Sequence, residues 1–218
     1  MRFDLHIHSN FSSDSGLTVD DILKRAVKKD LDGIAICDHN SVMGNFLARK
    51  RAKDLDLPLL VIPGVEVSTT QGHLIVLGAR GNIPPNLSPQ ETIIIARQLG
   101  GVIIAAHPFK IRSLGDVKGL DVDAIETFNS RCIFGENNKA EKMALELGKP
   151  QVGGSDSHML ITIGIGYTEI DAEPYVESVL NAIREGKTRP GGRIAPLYVV
   201  IFQVMRGVLR RIKTRVSH

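Results

Sequence analysis

The sequence predicts an α/β protein built on a parallel sheet covered by helices, most simply a barrel. Three observations carry this expectation. Strand-like apolar segments alternate with helical patterns for most of the 218 residues. The strand segments are near-continuously apolar, as strands buried on both faces must be. Most strand segments are followed at once by a histidine or a carboxylate.

In order along the chain, RFDL leads into HIH at His6 to His8. TVDDILKRAVKKD follows, with Ile22, Leu23, Ala26 and Val27 on one helical face and Thr18 and Asp21 spaced as a capping box. GIAIC reads as a short buried strand, SVMGNFLARKRAKDL as a helix, and LPLLVIPGVEV as a strand. HLIVLG, the Pro-rich loop NIPPNLSP, a helix near Glu91 to Leu99 and the strand GVIIAA come next. DAIETF, a helix over Glu136 to Leu147 stopped by Gly148 and Pro150, and PQVGGS continue the alternation.

Composition bounds the class. With 43% hydrophobic and 23% charged residues, the chain reads as one globular domain rather than a disordered segment. No basic leader precedes the first strand and no apolar run is long enough to span a bilayer, so a cytoplasmic location is expected. Cys37 and Cys132 lack paired-ligand spacing and read as reduced core residues. The net charge of +3 is unevenly spread: residues 189–218 hold six Arg and one Lys and no acid, so the body before them is mildly acidic.

The polar residues at the strand ends carry the functional reading. His6 and His8 follow the first strand, Asp38 and His39 the second, Glu66 the third, His107 follows GVIIAA, and Asp156 and His158 follow PQVGGS; His73 opens HLIVLG. In parallel α/β proteins the carboxyl ends of the strands meet at one rim, where active sites are built. Taken singly, each residue has an ordinary explanation. A lone His73 or His107 is usually hydrogen-bonded or solvated, Asp38 with His39 could cap a helix, and Asp14 in FSSDSG could belong to a polar turn. Jointly they bring six of the seven histidines and several carboxylates together, and divalent metal is the usual way to hold neutral imidazoles beside carboxylates. HxH spacing sends both side chains to one face of a strand. Nitrogen and oxygen donors without thiolate suit Zn, Mn or Fe in an open catalytic site.

DLHIHS, the downstream Asp14, CDHN, GVEVS, His73, AHP and GSDSH together resemble, in order, the motifs of the PHP (polymerase and histidinol phosphatase) superfamily, over residues 2 to about 190. The resemblance implies a distorted (β/α)7 barrel with up to three divalent metals. It implies His6, His8, Glu66 and Asp156 around the first metal, Glu66 with His73 and His107 around the second, and Asp14, His39 and His158 around the third, with Asp38 orienting a ligand or its loop. Cys37 departs from the Thr often found there. The 33 residues between His73 and His107 leave no room for the inserted domain of the nucleoside-bisphosphate phosphatase branch.

The implied reaction is hydrolysis of a phosphomonoester of a small metabolite, a nucleotide or an oligonucleotide end by a metal-activated water, with Asp156 or His158 helping to move a proton. Arg131, Asn129, Lys110 and Arg112 are candidates to bind the phosphate, and Ser155 either donates to it or steadies a turn. Histidinol-phosphate phosphatase and a non-catalytic RNA-binding scaffold are the alternatives. The chain divides into a barrel over 1–190 and a basic amphipathic extension over 191–218, in which Leu197, Ile201, Met205, Leu209 and Ile212 recur at helical spacing among Arg206, Arg210 and Lys213. That extension is expected to form a helix packing on the barrel or another subunit; a membrane surface or nucleic acid is the alternative partner.

Overall fold

In the computed structural model, which describes residues 1–111, 113–202 and 205, nine strands form one sheet. They are β1 (Arg2–Ile7), β2 (Gly33–Ile36), β3 (Leu60–Ser68), β4 (His73–Leu77), β5 (Val102–Ala105), β6 (Ala124–Asn129), β7 (Gln151–Gly154), β8 (Gly166–Ile170) and β9 (Thr188–Gly192). Their order is β7-β6-β5-β4-β3-β2-β1-β8-β9. The two ends of the β1–β7 run approach each other: Ile7 bridges Ser157 in parallel, and His8 N–H donates to the Ser157 carbonyl at 2.9 Å. The barrel is thereby nearly closed. Gly154 permits this approach, since a Cβ there would lie 2.5 Å from His6 Cβ.

The expected parallel sheet is found in part and corrected in part. β1–β2–β3 and β5–β6–β7 are parallel, but β4 is antiparallel to both β3 and β5, and β8 and β9 add an antiparallel edge beside the start of β1. The reason lies between Ser68 and His73, where a tight turn closed by Thr69 N–H to the Gly72 carbonyl (2.7 Å) leaves no length for a crossover helix. The strand–helix alternation is therefore broken between β3 and β4, within a barrel that is nearly closed.

Five α-helices cover the sheet: α1 (Val19–Lys28), α2 (Met43–Asp54), α3 (Pro89–Gln98), α4 (Glu136–Leu147) and α5 (Val176–Arg184). Thr18 caps α1 by accepting from Asp21 N–H, and Ile22, Leu23 and Ala26 are fully buried, as the sequence spacing predicts. Ser88 and Glu91 form a complete capping box on α3, and α4 ends at Gly148 in the left-handed region. Alternation along β5 shows both faces covered: Val102 and Ile104 join one apolar cluster with Phe3, Ile75 and α5, while Ile103 and Ala105 join another with α3 and α4. Cys37 and Cys132 are free and buried.

β9 continues to Gly192, and a C-terminal helix is described at 197–202 and 205. Its apolar residues do not pack on the barrel as expected: Leu197, Tyr198, Ile201, Phe202 and Met205 are all at least half exposed, and Val199 is buried instead. Leu209, Ile212, Arg206, Arg210 and Lys213, like Arg112, lie outside the described residues. No helix among the described residues is long and apolar enough to cross a membrane.

Candidate metal centre

The strand ends converge as the sequence predicts. β1 delivers His6 and His8, both fully buried, with their Nε2 atoms 3.1 Å apart. β3 delivers Glu66, whose carboxylate sits among five imidazoles. Oε1 lies 3.0 Å from His73 Nδ1 and 3.1 Å from His107 Nε2. Oε2 lies 3.2 Å from His39 Nδ1, 3.3 Å from His8 Nε2 and 3.5 Å from His6 Nε2. From the segment after β7, Asp156 Oδ1 approaches His8 Nε2 (3.5 Å) and His158 Nδ1 (3.6 Å). Asp14, in the loop after β1, places Oδ2 3.3 Å from His158 Nε2 and 3.5 Å from His39 Nε2. All nine sequence-predicted ligand side chains are thus in one cluster.

Backbone geometry at the rim is unusual. His107 (φ 28°), Asp156 (φ 50°) and Asn40 (φ 55°) occupy the left-handed region, which costs a non-glycine residue free energy and is found where a site dictates the chain path. Partners outside the cluster hold these conformations: His107 N–H donates to Glu126 Oε2 at 2.8 Å, and Asn40 Oδ1 accepts Ser68 N–H at 2.8 Å.

The residues fit divalent cations. Glu126 Oε1 stands 2.9 Å from His6 Nδ1, so a neutral His6 that donates there presents its Nε2 lone pair to the cluster. His39 Nδ1, His73 Nδ1 and His158 Nε2 are buried ring nitrogens without a hydrogen-bond partner among the described residues, each facing a carboxylate oxygen within 3.3 Å. Four groups have donor atoms mutually within 4.8 Å: His6, Glu66 and His107; His6, His8 and Asp156; His8, His39 and Glu66; and His8, Asp14 and His158. Oxygen and nitrogen donors of this kind suit Zn, Mn or Fe.

The electrostatics without metal are conflicted. Burial alone would raise the Glu66 carboxyl, but His39, His6 and His73 hold it well below the usual range. Burial would lower His39, yet Glu66 and Asp14 push it up to about 9. His158 is pulled down to about 4 by burial and by the charges of Arg131 and His8. One cluster therefore contains imidazoles driven in opposite directions.

The cationic candidates lie beside Asp156. Lys110 Nζ donates to Oδ2 at 2.6 Å and Arg131 Nη1 to Oδ1 at 2.9 Å, while Asn129 Nδ2 reaches Oδ2 at 3.3 Å. Ser155 turns its hydroxyl to the His6 carbonyl and is fully buried, the turn-steadying alternative. Asp38 does not cap α2, whose N-cap is Val42; its carboxylate takes Ser9 N–H and Oγ–H, both at 2.6 Å. Gly44 makes room for it, because a Cβ there would fall 2.0 Å from Asp38 Oδ2.

Sequence reasoning missed Glu126, Asp4, Ser12 and Ser113. Ser12 and Ser113 contact His8 Nδ1 and His107 Nδ1, each at 3.1 Å. Asp4, pushed up to about 6 by burial, accepts the amides of His6, Ser155 and Gly164. A lone Glu inside the apolar run of DAIETF was the available signal for Glu126.

The PHP domain model matches residues 4–109 and the PHP-associated model residues 134–188. An uncharacterised protein of Methanocaldococcus jannaschii is 37% identical over 143 residues, 60% of this chain and 82% of that protein. A 5′-3′ exoribonuclease of Haemophilus influenzae is 37% identical over 68 residues, covering 31% of this chain and 24% of the relative. Among solved structures, a Bacteroides vulgatus two-domain protein containing a predicted PHP-like metal-dependent phosphoesterase superposes with a TM-score of 0.75 at 19% identity, over 88% of this chain and 65% of that one. With matched family models at both ends of the barrel and its histidine-rich rim in place, the chain belongs to the PHP domain family.

Proposed function

We propose that the protein is a metal-dependent phosphoesterase that hydrolyses a phosphomonoester of a small metabolite, a nucleotide or an oligonucleotide end. One observation carries this reading: a carboxylate surrounded by five imidazoles, Glu66, lies next to an aspartate, Asp156, that holds two cations. A metal cluster and a phosphate-binding pair would thus share one residue. The partial match to exoribonucleases supports the nucleic-acid end among the substrate classes.

His6, His8, Glu66 and Asp156 would hold one metal, Glu66 with His73 and His107 a second, and Asp14, His39 and His158 a third. Metals bound there supply Lewis-acid polarisation of the phosphoester and a water acidic enough to attack at neutral pH. The chain's own residues do the rest. Arg131 and Lys110 take two phosphate oxygens by turning from Asp156, and Asn129 adds a neutral donor beside them. Asp156 or His158, with Oδ1 and Nδ1 3.6 Å apart, would take the proton released by the attacking water and pass it to the departing alkoxide. Glu126 keeps His6 and the His107 backbone aligned throughout.

The test is phosphate release with added Mn²⁺ from nucleoside 3′,5′-bisphosphates, histidinol phosphate, sugar phosphates and short oligonucleotides. Release from one class that disappears in Asp156→Ala is expected. Metal-loaded protein that releases phosphate from none of them would overturn the monoesterase reading, and metal-independent RNA binding would replace it with a scaffold.

A further inference from the structure

We propose that the C-terminal helix docks the protein on an anionic membrane surface, lying in the plane of the interface. Leu197, Ile201 and Met205 follow at four-residue spacing, with Tyr198 and Phe202 beside them, and all five are at least half exposed. The side of the helix turned to the barrel is marked by Val199, only 2% exposed. The apolar stripe therefore points away from the protein, a continuous exposed patch of a kind that monomeric proteins rarely leave without a use.

Charge selects the occupant. From Arg189 onward the sequence has six Arg, one Lys and no acidic residue. Val208, Leu209 and Ile212 continue the apolar spacing in the sequence, and Arg206, Arg210 and Lys213 fall between them. A second copy would bring the same positive charge against itself. Nucleic acid would use the charge but not a stripe of five large apolar side chains. An anionic bilayer uses both, burying the stripe at the acyl boundary while the basic residues meet the headgroups.

The helix has a fixed root. Ala195 N–H donates to the Ser130 carbonyl at 2.7 Å, and Ser130 Oγ donates to the Ser155 carbonyl at 2.5 Å. Ser130 lies between Asn129 and Arg131, so the helix leaves the protein at the rim of the metal centre. This proposal stands on the helix alone and does not depend on which phosphoester is cleaved.

The experiment sediments the full chain with vesicles of phosphatidylcholine alone and of an equal mixture with phosphatidylglycerol, at low and high salt. Expected is pelleting with the mixed vesicles, lower by roughly tenfold or more with phosphatidylcholine alone and at high salt. The double substitution Ile201→Glu, Phe202→Glu should remain in the supernatant at an unchanged unfolding temperature. Failure of the full chain to pellet, or equal pelleting of the double variant, overturns the proposal. Two other results overturn it by assigning the face elsewhere: a dimer dissolved by the same substitutions without vesicle binding, or salt-sensitive binding of a short RNA without vesicle binding.

Discussion

Glu126 Oε1 lies 2.9 Å from His6 Nδ1 while its other oxygen takes the His107 backbone N–H at 2.8 Å, so one buried carboxylate sets the geometry of two strand ends. Glutamine at this position can accept from only one of them, and its amide then meets the other donor head-on. Glu126→Gln is expected to weaken metal binding about 10- to 100-fold, with the fold intact by circular dichroism. Competition against a chromogenic chelator measures this; unchanged affinity would remove Glu126 from the site.

Glu66 is the carboxylate the imidazoles share. Replacing it by alanine is expected to leave only the ion held by Asp14, His39 and His158, read as metal content per chain by elemental analysis after gel filtration. Retention of the full metal complement would show that Glu66 bridges nothing.

Metal-free protein should lose stability as pH rises above neutrality. His39 has a folded pKa of about 9, above its ordinary 6.5, and His6 is also raised well above that value: burial opposes both shifts, Glu66 overcomes it at His39, and Glu126 with Asp156 at His6. The folded state therefore keeps protons that the unfolded chain releases. The stability from His39 is whole below pH 6.5 and disappears as pH passes 9, and that from His6 is lost in the same direction as pH rises. For His39 alone this amounts to about 3 kcal/mol. Urea titrations of chelator-treated protein at pH 6.5 and 9.5 test the sign, and His39→Gln should flatten the difference. Metal binding should reverse the trend, since ligands must shed those protons, making affinity rise with pH.

Arg131 meets Asp156 and would meet the phosphate. Arg131→Ala is expected to lower kcat/KM about 10- to 100-fold, the worth of one charge-assisted hydrogen bond, and Arg131→Lys to recover only part because a single ammonium cannot reproduce the planar fork. Steady-state kinetics on whichever substrate is turned over decides; an unaffected kcat/KM would place Arg131 outside the phosphate site.

The metal cluster was legible because its members stand at the ends of apolar runs, where sequence alone marks the rim. His8, His39, His107 and Asp156 each follow a strand that could be recognised by composition. The supporting layer was less legible. Ser12 and Ser113 lie in loops whose path is set by distant contacts, and Asp4 and Glu126 sit inside strands, where direction depends on register. The reversed β4 was hidden for a related reason: HLIVLG has the same apolar content whichever way it runs, and only the short link from Ser68 to His73 betrays the direction. The outward face of the C-terminal helix could not be told from a packed one, because periodicity defines a stripe but not the side of the protein it meets.

The near-closure of the barrel has a consequence for synthesis on the ribosome. Asp4 takes the Ser155 and Gly164 amides, and Ile7 pairs with Ser157, so the first strand waits for a segment some 150 residues later. Until that segment emerges, the nascent chain carries a half-built sheet with an open edge at β1 and an incomplete ring of imidazoles. Ions captured early would meet His6 and His8 without Asp156. A complete ligand set and a closed barrel thus both wait on a contact that spans most of the chain.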